Sequence, residues 1–518
     1  MAQQLRKLIE DEGVLEVEGA LEKRIQGLTQ DSRRVENDSL FVAIKGLKAD
    51  GHSHIEEAVN NGAVAVVYEE KTCDDFHRDP RTTYIRVADS RRTLAHLAAA
   101  YYGHPSARMT LIGITGTNGK TTTSHILGAM LETESCRVGY IGTLGYRLGN
   151  RTVSTGLTTP EAPELQRILW EMVESGISYV VMEVSSHALE LDRIEGCRFK
   201  TGVFTNLTRD HLDFHGTMED YFASKRRLFR DFGVETAVVN RDDPWSVPLL
   251  DGIQTPTLTY SLEGRADIYA RDIHLSQKGI SLVACTSQEK IPLESPLMGR
   301  YNIYNILAAM GTACSLGVGQ DGIREGTRAL KGVPGRFERV ETDQGFLVIV
   351  DYAHTEDALE RILRTAKELN PACLITVFGC GGDRDKSKRP RMGQVATAYS
   401  DYTFITSDNP RGENPKTILQ EIVEGARGLT SDIQEQRDKG SGARTPSPEP
   451  FEVIVDRREA IHRAVLKAKT GDIVVIAGKG HETYQILGNR TIHFDDREVA
   501  REAIQLGMKK ERKPRWKD

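Results

Sequence analysis

Residues 110–123 read TLIGITGTNGKTTT, and this stretch decides the fold. An apolar, β-branched run leads through a glycine-rich turn into a run of threonines that begins a helical pattern. A buried strand, a glycine turn and a helix N-terminus together surround polyphosphate with backbone N–H groups and a helix dipole. The stretch therefore predicts a nucleotide-binding loop, with Lys120 at the β- and γ-phosphates and the hydroxyl of Thr121 or Thr122 on Mg²⁺.

The loop is a variant of the Walker type. The spacing G-x-x-x-x-G-K-[ST] requires glycine five positions before Gly119, where the chain has Ile114, and glycines stand instead at 113 and 116. A glycine turn before an ordinary helix stays open as an alternative. We expect the nucleotide to contact Gly116, Thr117, Asn118, Gly119, Lys120, Thr121 and Thr122.

The pattern around this loop predicts an α/β fold with three domains. Short apolar runs alternate with helical segments from about residue 108, and the same alternation restarts at residues 346–353, FLVIVDYA. Such alternation is typical of parallel sheets covered by helices. The periodicity lapses at residues 332–338, GVPGRFE. We therefore predict a smaller N-terminal domain at 1–107, a central P-loop-type ATPase domain at 108–332 and a Rossmann-like doubly wound domain at 333–518.

Composition excludes several classes of protein. The chain has 518 residues, of which 39% are hydrophobic, and its 68 basic and 74 acidic residues leave a net charge of −6. This near balance argues against a nucleic-acid-coating protein, and no apolar run approaches the roughly 18 residues of a membrane span. We expect a cytoplasmic monomer without membrane insertion. The seven cysteines include no CxxC pair and are interpreted as buried thiols.

Two stretches are expected to lack regular structure. Residues 429–450 are polar and rich in Gly, Ser and Pro, which favours an exposed insertion within the last domain. The C-terminal KKERKPRWKD is strongly basic and is interpreted as a solvated terminus, with a nucleic-acid or membrane role left open.

Polar residues that follow other strands are candidates for the metal site. Glu183 stands where the apolar run of YVVMEV ends, so its carboxylate is a candidate Mg²⁺ ligand. Farther on, Asp210, His211, Asp213 and His215 gather after another strand end. Alone, that cluster would be interpreted as a polar loop.

Motifs spread along the chain resemble the Mur ligase family. They are GTNGKTTT, EVSSHAL, NLTRDHLDFHG, YFASKRRLF, GRYNIYN, GRFE and DYAHTEDAL, in that order, followed by SDNPRGENP and AGKGHETYQ. The resemblance implies three domains, for a nucleotide sugar, ATP and an amino acid. It implies that ATP drives addition of meso-diaminopimelate to UDP-N-acetylmuramoyl-L-alanyl-D-glutamate through an acyl phosphate, during peptidoglycan precursor synthesis.

The resemblance also implies a catalytic set of Lys120, Glu183, His211 and Lys225. In this set His211 and Lys225, modified as a carbamate, hold a second Mg²⁺. On residue type alone Lys225 would be an ordinary surface lysine, because a protonated lysine has no lone pair to offer a cation.

Further binding residues are implied in the same way. For ATP they are Asn302, Asn305, Arg336 and Asp351, with His354 either on the adenine or buried as a structural histidine. For the UDP-muramoyl peptide they are Ser32, residues 47–49, Thr158, Thr159, Ser185 and Arg193. For diaminopimelate they are Arg384, Asp408, Asn409, Pro410, Arg411, Gly478 and Glu482.

Arg411 in DNPR is expected to select the amino acid. Diaminopimelate differs from lysine by one carboxylate, and a guanidinium grips a carboxylate through two parallel hydrogen bonds. A turn capped by Asp408 with an exposed arginine is the alternative reading of DNPR. For the whole chain, the alternatives are a lysine-adding relative, a ligase like folylpolyglutamate synthetase, and a nucleotide-dependent switch protein without ligase activity.

Overall fold

The computed structural model describes residues 2–10, 13–46, 49–69, 77–149, 151–438 and 450–511. Residues 47 and 48, predicted to face the uridine diphosphate, lie outside the described residues. The same holds for 439–449 of the predicted insertion and for the end of the basic tail, 512–518. Within the described part of the chain, none of the helices is both long and apolar enough to cross a membrane.

The described chain forms two compact units. The first comprises Met1–Asp272, Leu282–Leu293 and Ile303–Ala329, and the second comprises Ile273–Ser281, Glu294–Asn302 and Leu330–Asp518. Both are α/β in structure, as the sequence predicted. The finer three-domain boundaries stay a prediction.

The first unit begins with a five-stranded sheet. Its elements are β1 (Gln3–Gln4), α1 (Leu5–Leu8), β2 (Val14–Glu18), β3 (Arg24–Ile25), β4 (Gly27–Thr29), β5 (Ser39–Val42), α2 (Ile55–Asn60), β6 (Ala63–Glu69), β7 (Thr83–Val87) and α3 (Ser90–Tyr101). The strand order of the five-stranded sheet is β2-β7-β6-β5-β4, with β2 antiparallel to β7 and the others parallel, and β1 and β3 form a separate antiparallel pair. Strand β5 is buried along its whole length, which explains its continuous apolar run.

A larger sheet follows in the same unit. Its elements are β8 (Thr110–Thr115), α4 (Lys120–Thr133), β9 (Val138–Gly142), β10 (Gly145–Leu148), β11 (Arg151–Val153), α5 (Ala162–Glu174), β12 (Tyr179–Glu183), α6 (Ser186–Glu190), β13 (Thr201–Phe204), α7 (Leu212–His215), α8 (Met218–Asp231), β14 (Thr236–Asn240), α9 (Ser246–Asp251) and β15 (Thr257–Ser261). Elements with residues in both units come next: β16 (Ile268–Ser276), β17 (Gly279–Cys285), β18 (Lys290–Ser295) and α10 (Tyr301–Ser315); α11 (Gln320–Ala329) returns to the first unit.

Strand β8 lies in the middle of this sheet. The order runs β11-β10-β9-β12-β8-β13-β14-β15, and β8 pairs in parallel with β12 on one side and β13 on the other. Because the strands are parallel, the carboxyl ends of β8, β12 and β13 meet at one edge, where α/β proteins bind ligands. The fold therefore brings three predicted site segments to the same edge.

The second unit contains a six-stranded sheet in the order β19-β20-β24-β21-β22-β23. Its elements are β19 (Glu338–Val340), β20 (Leu347–Asp351), α12 (Glu356–Glu368), β21 (Leu374–Phe378), α13 (Lys388–Tyr399), β22 (Tyr402–Thr406), α14 (Pro415–Asp438), β23 (Phe451–Ile454), α15 (Arg457–Lys467), β24 (Ile473–Ala477), β25 (Tyr484–Leu487), β26 (Arg490–His493) and α16 (Asp496–Glu511). The DNPR and GKGHE motifs follow β22 and β24, so they too lie at the carboxyl edge of a parallel sheet.

Two sequence expectations are wrong in part. Helix α14 continues through residues 429–438, which were predicted as irregular; QEQRD consists mainly of good helix formers, and residues 429–438 contain no Gly or Pro. The cysteines are not all buried, since Cys314 is exposed and Cys136 and Cys373 are partly exposed. Apolar residue type was too weak a signal to place a thiol in the core.

Candidate active site

The phosphate loop lies between β8 and α4, and its glycines are required by the local geometry. Gly116 and Gly119 have φ values of 144° and 89°. A Cβ atom on Gly116 would lie 1.9 Å from Thr205 Oγ1, and one on Gly119 would lie 2.4 Å from Asn305 Oδ1. The variant spacing therefore places glycine where side chains from neighbouring segments approach the loop most closely.

Thr205 and Asn206, which the sequence analysis did not single out, hold the loop in place. Thr205 Oγ1 donates to Asn118 O at 2.7 Å. Asn206 Oδ1 accepts from Asn118 N at 3.0 Å, and its Nδ2 donates to Asn118 O at 3.0 Å. The sequence signals were the motif NLTRDHLDFHG, which begins at Asn206, and the position of TNLT directly after β13, whose carboxyl end adjoins that of β8.

The Lys120 side chain folds back and contacts the backbone of the phosphate loop. Its Nζ donates to Gly116 O at 2.8 Å and to Thr117 O at 2.9 Å. Both acceptors are neutral carbonyls, so the anionic oxygens of a phosphate would be stronger partners for the ammonium.

Glu183 ends β12 beside this loop and is buried, at 2% exposure. Thr121 Oγ1 donates to Glu183 Oε2 at 3.0 Å, and the backbone N–H and Oγ1 of Thr143 each donate to the same carboxylate at 3.0 Å. A Cβ atom on Gly142 would lie 2.2 Å from Glu183 Oε1, so that glycine makes room for the carboxylate. Thr143 and Gly142 were not predicted as site residues.

The Thr121 and Glu183 oxygens fit a Mg²⁺ ion. Adjacent oxygens of an octahedral Mg²⁺ shell, with bonds of about 2.1 Å, are separated by about 3 Å. Thr121 Oγ1 and Glu183 Oε2 show this separation. Among the described residues, no group of three or more His, Cys, Asp or Glu side chains is arranged to hold a metal. A cation at this edge would therefore take part of its shell from hydroxyl groups and from the nucleotide.

Lys225 is buried in helix α8, so the reading as a surface lysine is wrong. Its Nζ donates to Gly116 O at 3.0 Å and lies 4.6 Å from the centre of the Tyr221 ring. Burial, and then the charge of Lys120, hold the pKa of Lys225 well below the ordinary value of 10.5. The sequence RRLF gave no sign of burial, because the flanking arginines suggested a solvated face.

Histidines gather beside Lys225. The His187 ring lies 4.8 Å from that of His211, and it stacks on Phe214 at 4.2 Å. Partial desolvation lowers the pKa of His211, whose side chain is 47% exposed, and burial lowers the pKa of His187 to about 4, with the neighbouring imidazoles acting in the same direction on His187. Neutral imidazole is the form that ligates metals. His211 therefore suits the predicted role, and His187 is an addition from EVSSHAL.

The residues predicted to bind the UDP-muramoyl peptide, which is the acceptor of the amino acid, lie around the end of β12. Thr159 Oγ1 donates to Glu183 O at 2.9 Å, and Arg193 Nη1 donates to Thr159 O at 3.2 Å. Ser185 caps α6 by accepting from Ala188 N. Thr158 Oγ1 lies 3.3 Å from Thr143 Oγ1.

Ser32 stands apart from these residues in sequence. It is buried, and its hydroxyl donates to Glu57 Oε2 at 2.8 Å.

The predicted nucleotide residues are divided between the units. Asn305, in the first unit, accepts from Thr123 Oγ1 at 3.3 Å and adjoins Gly119. Asn302, in the second, donates to Met298 O at 2.7 Å. Asp351 is buried and accepts from the backbone of Phe337 and Ala353, and burial raises its pKa.

Two further predicted residues lie near Tyr352. Arg336 packs 5.1 Å from the centre of the Tyr352 ring. His354 is exposed, which rules out the buried structural histidine.

The predicted amino-acid residues of the second unit form a connected network. Asn409 Nδ2 donates to Glu482 Oε2 at 3.0 Å, and Arg411 Nη1 donates to Gly382 O at 2.8 Å. Gly478 has φ 116°, and a Cβ atom there would lie 3.1 Å from Asp408 Oδ2.

Asp408 and Arg411 do not match the alternative of a capped, exposed turn, because Asp408 is buried and Arg411 is partly buried. Pro410 is buried between them, whereas Arg384 is exposed and its Nη1 donates to Asp383 O.

Lys479 lies at the centre of this network and was missed. It is fully buried, and its Nζ contacts Glu482 Oε2 at 3.0 Å, Asn409 Oδ1 at 3.2 Å and Asp408 Oδ1 at 3.6 Å. The motif AGKGHE contained the residue, but only the fold shows that two carboxylates converge on it.

Comparisons with known proteins agree with this arrangement. The Mur ligase family catalytic domain matches residues 24–102, the Mur ligase middle domain residues 114–313, and the Mur ligase glutamate ligase domain residues 335–480. The UDP-N-acetylmuramoyl-L-alanyl-D-glutamate–2,6-diaminopimelate ligase of Geobacter metallireducens is 45% identical over 493 residues, covering 93% of this chain and 94% of that protein. The ligase of the same name from Bacillus cereus is 43% identical over 487 residues, covering 93% and 94%.

Solved structures show the same relationship. A UDP-N-acetylmuramoyl-L-alanyl-D-glutamate–2,6-diaminopimelate ligase matches with a TM-score of 0.70 and 33% identity, over 98% of this chain and 100% of that chain. A folylpolyglutamate synthase from Mycobacterium tuberculosis matches with a TM-score of 0.57 over 74% and 91%, and its 16% identity indicates the fold alone.

Parallel sheets with a glycine–lysine phosphate loop and a second, buried lysine define a nucleotide-dependent α/β enzyme. The chain belongs to the Mur ligase family, the ATP-dependent ligases of peptidoglycan precursor synthesis. Members of this family use ATP and Mg²⁺.

Proposed function

We propose that this chain joins an amino group of meso-diaminopimelate to UDP-N-acetylmuramoyl-L-alanyl-D-glutamate in the cytoplasm, with conversion of ATP to ADP and phosphate. The observation that carries the proposal is the contact of buried Lys225 with Gly116 O in the phosphate loop, at 3.0 Å. A phosphate loop alone serves many nucleotide enzymes, including switch proteins. A second lysine, buried on another helix and in contact with the same loop, supports a reaction in which a metal ion held beside the loop brings two anions together.

The proposed reaction has two steps. A carboxylate oxygen of the acceptor attacks the γ-phosphorus of ATP, the bond to ADP breaks, and an acyl phosphate forms. The amine nitrogen then attacks the acyl carbon, phosphate leaves, and the nitrogen loses a proton. Neither step needs a nucleophile from the protein, so its contribution is positioning and charge.

Residues of the first unit are proposed to bind the ATP phosphates and to supply positive charge beside them. Backbone N–H groups of 116–122 and the Lys120 ammonium hold the ATP phosphates. Thr121 and Glu183 would hold a Mg²⁺ ion, which would supply positive charge to the phosphate oxygens.

Lys225 is proposed to act as a carbamate. Its lowered pKa leaves a neutral amine, which is the form that adds to CO₂. The resulting oxygens, with His211, are proposed to hold a second Mg²⁺.

The remaining roles are also proposals. Ser32, Thr158, Thr159, Ser185 and Arg193 bind the UDP-muramoyl peptide, and Asn302, Asn305, Arg336 and Asp351 bind the nucleotide. These roles correspond to a nucleotide-sugar domain at 1–107, an ATP domain at 108–332 and an amino-acid domain at 333–518.

Arg411 is proposed to select diaminopimelate, within a set that also includes Arg384, Asp408, Asn409, Pro410, Gly478 and Glu482. It is partly buried, so with lysine bound its guanidinium would lack a carboxylate partner. Such an unpaired, desolvated group costs about 2–5 kcal/mol, or roughly 30- to several-thousand-fold in selectivity.

The test is incubation with ATP, Mg²⁺, the UDP-muramoyl dipeptide and either amino acid, followed by mass analysis and phosphate release. We expect an amide product with diaminopimelate and very little with lysine. Replacing Arg411 by Ala should remove the preference, whereas replacing the exposed Arg364 by Ala should keep it. Equal wild-type rates with the two amino acids would refute the selector role. Hydrolysis of ATP without any amide product would instead favour a switch protein.

A further inference from the structure

Thr143 occupies a distinctive place at the edge of the central sheet. It is the first residue of the two-residue turn between β9 and β10, which pair through Gly142 and Gly145. Strand β9 also pairs with β12, so this turn lies directly beside Glu183. A two-residue hairpin turn is short and well defined, and it fixes the direction of the Thr143 side chain.

Thr143 makes two different bonds to one carboxylate. Its N–H donates to Glu183 Oε1 and its hydroxyl donates to Glu183 Oε2, both at 3.0 Å. Together they fix both oxygens of the carboxylate and leave Oε2 directed at Thr121 Oγ1. Hydrogen bonds to charged groups are stronger than those between neutral groups, so this contact is well suited to orienting a metal ligand.

The same hydroxyl reaches the loop proposed for the acceptor. Thr143 Oγ1 lies 3.3 Å from Thr158 Oγ1. Since the Thr143 proton is directed at Glu183, the Thr158 hydroxyl is the donor in this second contact. The chain of bonds therefore runs from Thr158 through Thr143 to the Glu183 carboxylate.

We infer that Thr143 is a positioning residue that orients the Glu183 carboxylate for a divalent cation and aligns it with the Thr158 loop. The inference rests on the proposed function, in which Glu183 holds Mg²⁺ and Thr158 contacts the acceptor. Thr143 acts through Glu183 and touches neither ATP nor the acceptor in this assignment.

The test compares Thr143→Val, which removes the hydroxyl and keeps the shape and the backbone N–H, with Thr143→Ser, which keeps the hydroxyl. The readout is binding of a non-hydrolysable ATP analogue to the full chain by calorimetry, across a Mg²⁺ titration and in EDTA. We expect the valine variant to need about tenfold more Mg²⁺ for half-maximal binding, with unchanged affinity in EDTA. The serine variant should restore the wild-type requirement, and Thr152→Val, on the exposed strand β11, should match wild type.

Several outcomes would overturn the inference. One is a wild-type Mg²⁺ requirement in the valine variant, and another is equal weakening with and without Mg²⁺, which would indicate a general structural role. If the valine variant does not fold, Thr143→Ala applies the same test, because it also removes the hydroxyl that bonds Glu183 Oε2 and keeps the backbone N–H. If wild-type protein itself binds the analogue equally with and without Mg²⁺, the metal role proposed for Glu183 fails instead.

Discussion

Lys225 and Lys479 are both buried lysines, yet their surroundings are opposite. Lys225 Nζ has a backbone carbonyl and an aromatic ring as neighbours, and the repulsive charge of Lys120 outweighs the attraction of the Asp210 carboxylate. Lys479 Nζ faces the carboxylates of Asp408 and Glu482 and the amide oxygen of Asn409. The difference shows that burial alone does not decide what a lysine does. Without an anionic partner, burial favours a neutral, reactive amine, whereas with two such partners it favours a fixed ammonium.

The largest expected effect is on catalysis at Lys225. Replacing Lys225 by Ala should lower phosphate release at least about 10³-fold, the loss typical of removing one preorganised group that stabilises developing charge. Added formate or acetate should restore part of the activity by supplying the missing oxygens. In wild-type protein, ¹³C-labelled bicarbonate should give a carbamate NMR signal that the variant lacks.

The control for this experiment is Lys200→Ala, because Lys200 is an exposed lysine of the same unit. Full activity in the Lys225 variant would discard the carbamate, and so would the same NMR signal in both proteins.

A stability measurement sharpens the comparison at Lys479. Replacing Lys479 by Met leaves Asp408 and Glu482 without their shared cation, and breaking a buried ion pair from one side costs about 3–5 kcal/mol. Urea unfolding should therefore show a loss of this size in the free energy of unfolding. The exposed Lys416→Met is the matched control. A loss below about 1 kcal/mol would mean that the two carboxylates do not need Lys479.

Replacing Lys225 by Met should change the free energy of unfolding in the opposite direction. Each unit by which the folded-state pKa lies below the unfolded one costs about 1.4 kcal/mol while the unfolded lysine is charged. Lys225→Met should therefore raise the free energy of unfolding at pH 7 by about 1 kcal/mol or more, in bicarbonate-free buffer. The folded protein binds fewer protons at this position than the unfolded chain, so wild-type stability rises with pH towards 10.5.

The advantage of methionine should shrink over that pH range and disappear above it. A Lys225→Met variant that is less stable than wild type at pH 7 would show that Lys225 is held as a favourable ammonium, as Lys479 is.

This contrast also marks the limit of sequence reasoning. The strand–turn–helix pattern predicted the phosphate loop and a strand end predicted Glu183, because periodicity and turn residues are local signals. The DNPR segment was predicted from the family resemblance. Lys479 and Thr143 could not be predicted in this way. Their roles depend on Asp408 and Glu183, which lie far away in the sequence and become neighbours only through sheet order.

The burial of individual side chains was also not predictable from the sequence. Lys225 stands beside two arginines in a helix, and only the packing of α8 shows which side of the helix faces inward. The reading of 429–438 as irregular failed for a related reason, since polar composition indicates exposure but does not exclude a helix.

The smallest expected effect concerns the aromatic neighbours of the two lysines. The Tyr221 hydroxyl lies 3.2 Å from Thr117 Oγ1, and its ring packs against Lys225. Tyr221→Phe keeps the ring and removes one buried hydrogen bond, so the free energy of unfolding should fall by about 0.5–1.5 kcal/mol. Tyr484→Phe, near Lys479, alters a ring that is 39% exposed and should change stability by less than about 0.5 kcal/mol.

If the Tyr221 ring alone, and not its hydroxyl, influences the charge state of Lys225, the carbamate signal of Tyr221→Phe should keep the pH dependence of wild type. A clear shift of that dependence would mean that the phenol hydroxyl, through Thr117, also sets the charge state of Lys225. The neutral amine would then depend on the bonding of the phosphate loop as well as on burial.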